Sequence, residues 1–176
     1  MIAYYIHETR AFMAALLTGT AFDRFLFREG QVTTFCTYTI DGTFHAAYMD
    51  ASDENESADG DKSSSAHPAD GSFTPWPLLR PHIFDMIKGK RTPLSFKMVF
   101  QITPEDMQKL MTGHGLEARI PDLHALFLNI RYDGRRVMIT TGSAQRQFPA
   151  DKAIDQMWDQ SVVRFFKEKG ITLEEN

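Results

Sequence analysis

The sequence predicts an α+β protein built from two pseudo-symmetric β-α-β-sheet-α repeats, with an antiparallel sheet packed on helices. When the chain is aligned with itself at a shift of 94 residues, Thr9 aligns with Thr103, and further Met, Leu, Thr and Gly pairs follow. Asp-Gly dipeptides at 41–42 and 133–134 align at a shift of 92 and lie between β-rich runs, a strong signal for hairpins. Each predicted repeat ends in a segment with helical periodicity.

Composition favours one globular domain. The 176 residues are 43% hydrophobic and contain one cysteine, so the fold needs no disulfide framework. We predict a single domain, 1–176, with repeat one at 1–90 and repeat two at 95–176. Residues 50–72 contain seven acids and one lysine without a large apolar side chain, which predicts a mobile acidic loop. Subtracting the loop from the chain's 23 acids and 19 bases leaves 16 and 18, so the net charge of -4 arises in the loop.

Repeat one is predicted from short-range patterns along its length. An apolar strand at 2–6 precedes a helix that begins at Thr9 and ends at Gly19. A strand at 24–28 then precedes a hairpin that turns at Asp41-Gly42, and a final helix ends at Gly89. The predicted hairpin strands are 32–40 and 43–49, and the predicted final helix is 81–88.

Repeat two has the clearer helix start. Thr103 can cap the helix, Pro104 suits its first position, and acids follow where the helix end is positive. A strand at 96–102 precedes this helix, which ends at Gly113. The hairpin strands are predicted at 123–132 and 135–141, and the last helix at 151–169 with Ile154, Trp158, Val162 and Phe165 on one face.

Strand alternation assigns two faces to the sheet. Leu126, Leu128, Ile130 and Tyr132 are expected to face the helices, while Phe127, Asn129 and Arg131 point away, as Phe35 does in repeat one. The same alternation places Cys36 in the core. A two-residue turn at 133–134 would set Arg131 opposite Arg136, which is unfavourable unless an anion lies between them. Either an internal acid or a bound phosphate or acidic partner would supply that anion.

A second group of bases lies in the segment KGKRTPLSFK between the repeats. Its cations could contact phosphates, or they could stabilise the preceding helix through its dipole. The candidate partner-binding residues are therefore Arg131, Arg136, Asn129, Phe35, Phe127, Lys88, Lys90 and Arg91.

No pattern for catalysis, a metal or a cofactor is found. Gly89-Lys90 lacks the other residues of a phosphate-binding loop, and the six histidines show no ligand spacing. No apolar run approaches a membrane span, and the apolar run at 11–17 is too short and wrongly flanked for a secretory signal. These features predict a cytoplasmic protein without a cofactor, and they do not indicate an enzyme.

Three functions remain open. The first is a non-enzymatic module that binds nucleic acid or an acidic protein through the polar sheet face. The second is an enzyme or small-anion binder whose pocket lies between the repeats and uses Arg135, Arg136 and a histidine, His45 or His82. The third is a self-association module, giving a homodimer through a surface that contains Phe35, Phe44 and Tyr48.

The segment IFDMIKGKRTPLSFKMVF, with the early helix and the turn at 40–42, resembles an uncharacterised protein family of gut-dwelling Firmicutes, which has no known activity to transfer. In plan only, the doubled order is similar to the TATA-binding-protein-like fold and less closely to one sliding-clamp domain. The first resemblance implies a polar sheet face against a minor groove, with Phe35, Phe127, Asn129 and Arg131 in comparable places. The modest charge, the smaller number of strands and the lack of a long basic helix depart from it.

Overall fold

A computed structural model describes residues 1–48, 68–69, 71–146 and 152–175; most of the predicted acidic loop, 50–72, lies outside these ranges. Helices and an antiparallel sheet confirm the α+β class. The elements are β1 (Ala3–Ile6), α1 (Thr9–Leu17), β2 (Phe25–Thr33), β3 (Thr37–Asp41), β4 (Thr74–Pro75), α2 (Trp76–Ile87), β5 (Ser95–Ile102), α3 (Pro104–Gly113), a 3-10 helix (Glu117–Asp122), β6 (Leu123–Tyr132), β7 (Val137–Gln145), α4 (Ala153–Glu168) and β8 (Leu173–Glu175). No helix in the described part of the chain is long and apolar enough to cross a membrane.

The eight strands of the described residues belong to one antiparallel sheet. Its order is β3-β2-β5-β6-β7-β1-β8, and β4 pairs with β2 beside β3. The hairpins β2-β3 and β6-β7 correspond between the predicted repeats. The first strands of the two predicted repeats, β1 and β5, do not occupy equivalent positions in the sheet. The strand β5 lies between the two hairpins, whereas β1 lies beyond β7. The internal repeat therefore stays a prediction.

One face of the sheet packs on the helices and forms an aromatic-rich core. Trp76, at the start of α2, is fully buried and its ring stacks on Phe27 with centroids 5.8 Å apart. Its Nε1 donates a hydrogen bond of 2.9 Å to the Leu16 carbonyl oxygen in α1. Burial of a side chain of this size stabilises the fold by roughly 1.5–3 kcal/mol or more. This contact explains why α2 begins at Trp76, five residues before the predicted start at Pro81.

The predicted hairpin turn at Asp41-Gly42 is wrong. The chain turns instead at 34–36, and Thr33 pairs with Thr37. A Cβ on Gly42 would lie 2.1 Å from the Phe27 carbonyl oxygen, so this glycine permits a close crossing over β2. The predicted strand at 43–49 is reduced, within the described residues, to one bridge between Thr43 and Phe73.

The turn of the second hairpin is longer than predicted. Four residues, 133–136, connect the strands, because the Asp133 carboxylate accepts hydrogen bonds from the Arg135 and Arg136 amides at 2.9 and 2.8 Å. Gly134 has a φ of 92°, which favours glycine. The register is therefore displaced by two residues: Arg131 pairs with Met138, and the predicted placement opposite Arg136 is wrong.

The remaining elements predicted for 95–176 are present with shifted bounds: β7 extends four residues beyond the predicted end at 141, and in the last helix Phe166 is buried where Phe165 was predicted. Thr103 caps α3 by accepting a 3.2 Å hydrogen bond from the Asp106 amide, and Pro104 occupies the first turn. In α4 the buried residues are Ile154, Met157, Trp158, Val162 and Phe166. The short strand β8 was not predicted, and it pairs with β1 at the sheet edge.

Candidate functional site

The outer face of the sheet, opposite the helices, brings two cations together near its centre. Lys97 of β5 and Arg131 of β6 are direct cross-strand partners, and both side chains are exposed. Gln31 of β2 is paired directly with Lys97, and Met138 of β7 with Arg131. Glu29, two residues before Gln31, lines the same depression as Lys97 but forms no ion pair with it. No carboxylate of the described residues forms an ion pair with either cation. Like charges placed directly opposite each other destabilise a sheet.

Arg136, by contrast, has an intramolecular counter-ion. Its Nη2 lies 3.2 Å from Glu174 Oε2 in β8, and its guanidinium lies 3.7 Å from the ring centroid of Tyr5. Glu174 also binds His7, and this hydrogen bond raises the pKa of His7 and lowers the pKa of Glu174. Of the two possibilities that the sequence left open, the internal acid holds for Arg136.

Two further predicted residues lie on the outer face but are already engaged. The Asn129 side-chain amide donates a hydrogen bond of 3.2 Å to Thr140 Oγ1. The Phe127 ring is covered by the Arg28 guanidinium, 5.1 Å from its centroid. The same guanidinium lies 4.8 Å from the ring of Phe73. Neither Asn129 nor Phe127 is therefore free for a partner without rearrangement.

Phe35 is not on the outer face. It lies at the tip of the β2-β3 hairpin and is 91% exposed. Its neighbour Cys36 is exposed too, so the predicted core position of Cys36 is wrong. The tip faces the 88–92 linker across a cavity of about 720 Å³, which Lys88, Lys90 and Arg91 also line. The structure thus groups Phe35 with the linker cations and separates it from Phe127.

The opposite side of the linker borders a second cleft. This cleft, between α1 and the segment 84–93, has a volume of about 620 Å³. Its lining is largely apolar and includes Tyr132 of β6. The four cations at its rim are Arg10, Lys88, Lys90 and Arg91.

The residues that line the cleft between α1 and the 84–93 segment include no histidine, cysteine or acid. Arg135 and Arg136 do not line this cleft, and both His45 and His82 are exposed. Among the described residues, no group of three or more His, Cys, Asp or Glu side chains could hold a metal ion. What both surfaces offer is unpaired positive charge, which suits binding of an anion.

Fold and surfaces together define a class: an α+β protein with helices on one side of a single antiparallel sheet and a polar opposite face. The model of a family of unknown function, DUF5721, matches residues 15–174. The chain therefore belongs to that family, which confirms the predicted membership of a family of unknown function. No curated protein and no solved structure matches the chain.

Sequence reasoning placed Lys97 with the bases of the segment between the predicted repeats and did not assign it to the sheet face, and it missed Arg10 and Tyr132 as candidate residues. Alternation in β5 did hold the signal for Lys97, because its neighbours Phe96 and Met98 are apolar and buried. No comparable signal exists for Arg10 and Tyr132, which meet across the cleft only through the tertiary fold.

Proposed function

We propose that this protein is a non-enzymatic binding module that takes an anionic partner on the outer face of its sheet. The observation that carries the proposal is the cross-strand pair of Lys97 and Arg131, for which no described carboxylate serves as a counter-ion. An anion held between the two side chains would relieve their repulsion and form charge-assisted hydrogen bonds with both.

An acidic segment of a protein fits this face better than a single-stranded nucleic acid. Binding of single strands depends on aromatic rings that stack on bases. On the outer face the ring of Phe127 is covered by Arg28 and that of Tyr5 by Arg136, while Phe35 lies elsewhere. Two unpaired cations also provide few phosphate contacts. We also propose, as the sequence predicts, that this module is bacterial and cytoplasmic.

Self-association is a second candidate function. The observation in its favour is the exposure of large apolar side chains at one end of the sheet, where Phe35 is 91% and Leu94 66% exposed. Phe44 is buried, so it is not part of the exposed surface predicted for the dimer. Sedimentation equilibrium tests this candidate: a homodimer that Phe35→Ser converts to monomer would support it, and a monomeric wild type would exclude it.

Fluorescence anisotropy tests the main proposal. The labelled probes are a short poly-glutamate peptide, single- and double-stranded DNA, and RNA, at about 50 and 200 mM salt. The variant Lys97→Gln/Arg131→Gln removes the pair, and Lys109→Gln/Lys167→Gln removes the same charge from α3 and α4. We expect peptide binding that weakens at higher salt and is lost in the first variant alone. Equal loss in both variants, or no binding to any probe, would contradict the proposal; binding of nucleic acid alone would change the partner class.

A further inference from the structure

We infer a second binding site, for a phosphate monoester attached to an apolar body, in the cleft between α1 and the 84–93 segment. The cleft is separate from the outer face of the sheet. Its residues include neither Lys97 nor Arg131. The inference therefore stands independently of the proposed function.

The cleft has the size and lining of a small-molecule site. Its volume of about 620 Å³ lies within the range of about 300–1,000 Å³ that ligand pockets occupy. Side chains from two helices, the linker and β6 form the apolar floor, so the apolar surface is held by the fold on all sides. These side chains are Met13, Leu17, Phe84, Ile87, Pro93 and Tyr132.

The rim supplies positive charge in excess. None of the residues that line the cleft is acidic. Lys88 forms an ion pair of 2.8 Å with Asp85, on the neighbouring turn of α2. Arg10, Lys90 and Arg91 have no carboxylate partner among the described residues. The cleft therefore combines an apolar floor with three rim cations that lack an internal counter-ion in the described part of the chain.

Charge and shape together select the class of ligand. A carboxylate carries one negative charge, which leaves most of the rim uncompensated. A phosphate monoester carries about 1.5–2 negative charges near pH 7 and three strong acceptor oxygens, which match three cations better. Inorganic phosphate would satisfy the rim but leave the apolar floor in water. An apolar chain or ring that ends in a phosphate monoester would cover the apolar floor and place its phosphate among the rim cations.

Calorimetric titration of the full chain with monomeric decyl phosphate tests the inference, with inorganic phosphate and decanoate as comparison ligands. Lys90→Gln/Arg91→Gln removes rim charge. Ala14→Glu places a carboxylate inside the cleft from an exposed position of α1, so the core is not disturbed. Ala11→Glu adds the same charge to the same helix at an exposed position outside the cleft and is the matched control.

We expect decyl phosphate to bind at least about tenfold more tightly than either comparison ligand. Lys90→Gln/Arg91→Gln should weaken it by at least about tenfold, because each charge-assisted hydrogen bond contributes about that much. Ala14→Glu should weaken it by a similar factor, because its carboxylate repels the phosphate. Ala11→Glu should leave it unchanged within about twofold. The inference is overturned if decyl phosphate does not bind, if decanoate binds as tightly, or if the control weakens binding equally. Binding only to phosphatidylcholine vesicles containing phosphatidic acid would also overturn it, because the surface would then recognise a membrane.

Discussion

Lys97 and Arg131 are direct cross-strand partners on the third and fourth strands of the sheet order, and both carry a positive charge on the outer face. Central strands have neighbours on both sides, so neither side chain can turn away over a sheet edge. A repulsive pair at this position lowers the stability of the isolated protein. This relationship leads to the first prediction.

Lys97→Gln should raise the free energy of unfolding by about 0.2–1 kcal/mol, because it removes a like-charge pair and keeps a side chain of similar length. The gain should shrink at high salt, which screens the repulsion in the wild type. Urea unfolding at low and high salt measures both effects. Lys109→Gln on α3 is the control and should change stability little. A loss of stability in Lys97→Gln would mean that an unrecognised partner already neutralises the lysine.

Gly134→Ala should destabilise the protein by about 1–2 kcal/mol. The backbone φ of 92° disfavours any residue with a Cβ, and that Cβ would lie 2.9 Å from the Leu94 carbonyl oxygen. Thermal unfolding measures the loss. Gly115→Ala, also at positive φ but with no atom within 4 Å of its Cβ, separates the backbone effect from the steric contact. If the two variants lose equal stability, the Leu94 contact contributes nothing.

Gly42→Ala should be destabilising at or above the upper end of about 1–3 kcal/mol. The added Cβ would approach the Phe27 and Arg28 carbonyl oxygens to 2.1 and 2.7 Å, and both belong to strand backbone that cannot move independently. Gly113→Ala is the opposite case, since its Cβ meets nothing within 4 Å at the end of α3. It should stabilise the protein by up to about 1 kcal/mol through helix propensity. Urea midpoints that shift equally in both variants would refute this interpretation of Gly42.

The ion pair between His7 and Glu174 should make the attachment of β8 dependent on pH. The pKa of His7 is raised above its ordinary 6.5, so its contribution is present below that value and lost as pH rises through the raised pKa. The pKa of Glu174 is lowered from 4.5, so its contribution is present above 4.5 and lost as pH falls through the lowered pKa. The pair therefore stabilises the edge most between about pH 4.5 and 6.5.

Hydrogen exchange of the β8 amides measures this dependence in the wild type and in His7→Gln. We expect the difference in protection to be largest near pH 5.5 and to vanish above the raised pKa of His7. His124→Gln, at an exposed histidine of β6, is the control. A difference that is constant with pH would show that His7 acts through packing and not through charge.

Local sequence patterns predicted the features that depend on neighbours along the chain. The Thr103 cap and the strand β6 were correct for that reason. The hairpin turn predicted at Asp41-Gly42 was wrong because a glycine is needed both in left-handed turns and where two backbones cross closely. Gly42 is at a close backbone crossing. The candidate site was predicted in part. Arg131 was identified, but its true neighbour Lys97 depends on which strand lies beside β6, a pairing between residues 34 apart in the chain.

The position of β1 has a consequence for the order of folding. Ala3 pairs with Thr140, so the first strand of the chain meets its sheet neighbours across a separation of 137 residues. During synthesis on the ribosome, β1 therefore remains an unpaired apolar segment until β7 has emerged. Because contacts so distant in sequence slow folding, closure of this edge is expected to be a late step that follows formation of the central hairpins. During synthesis, the strand Ala3–Ile6 is therefore exposed to chaperones and to mispairing.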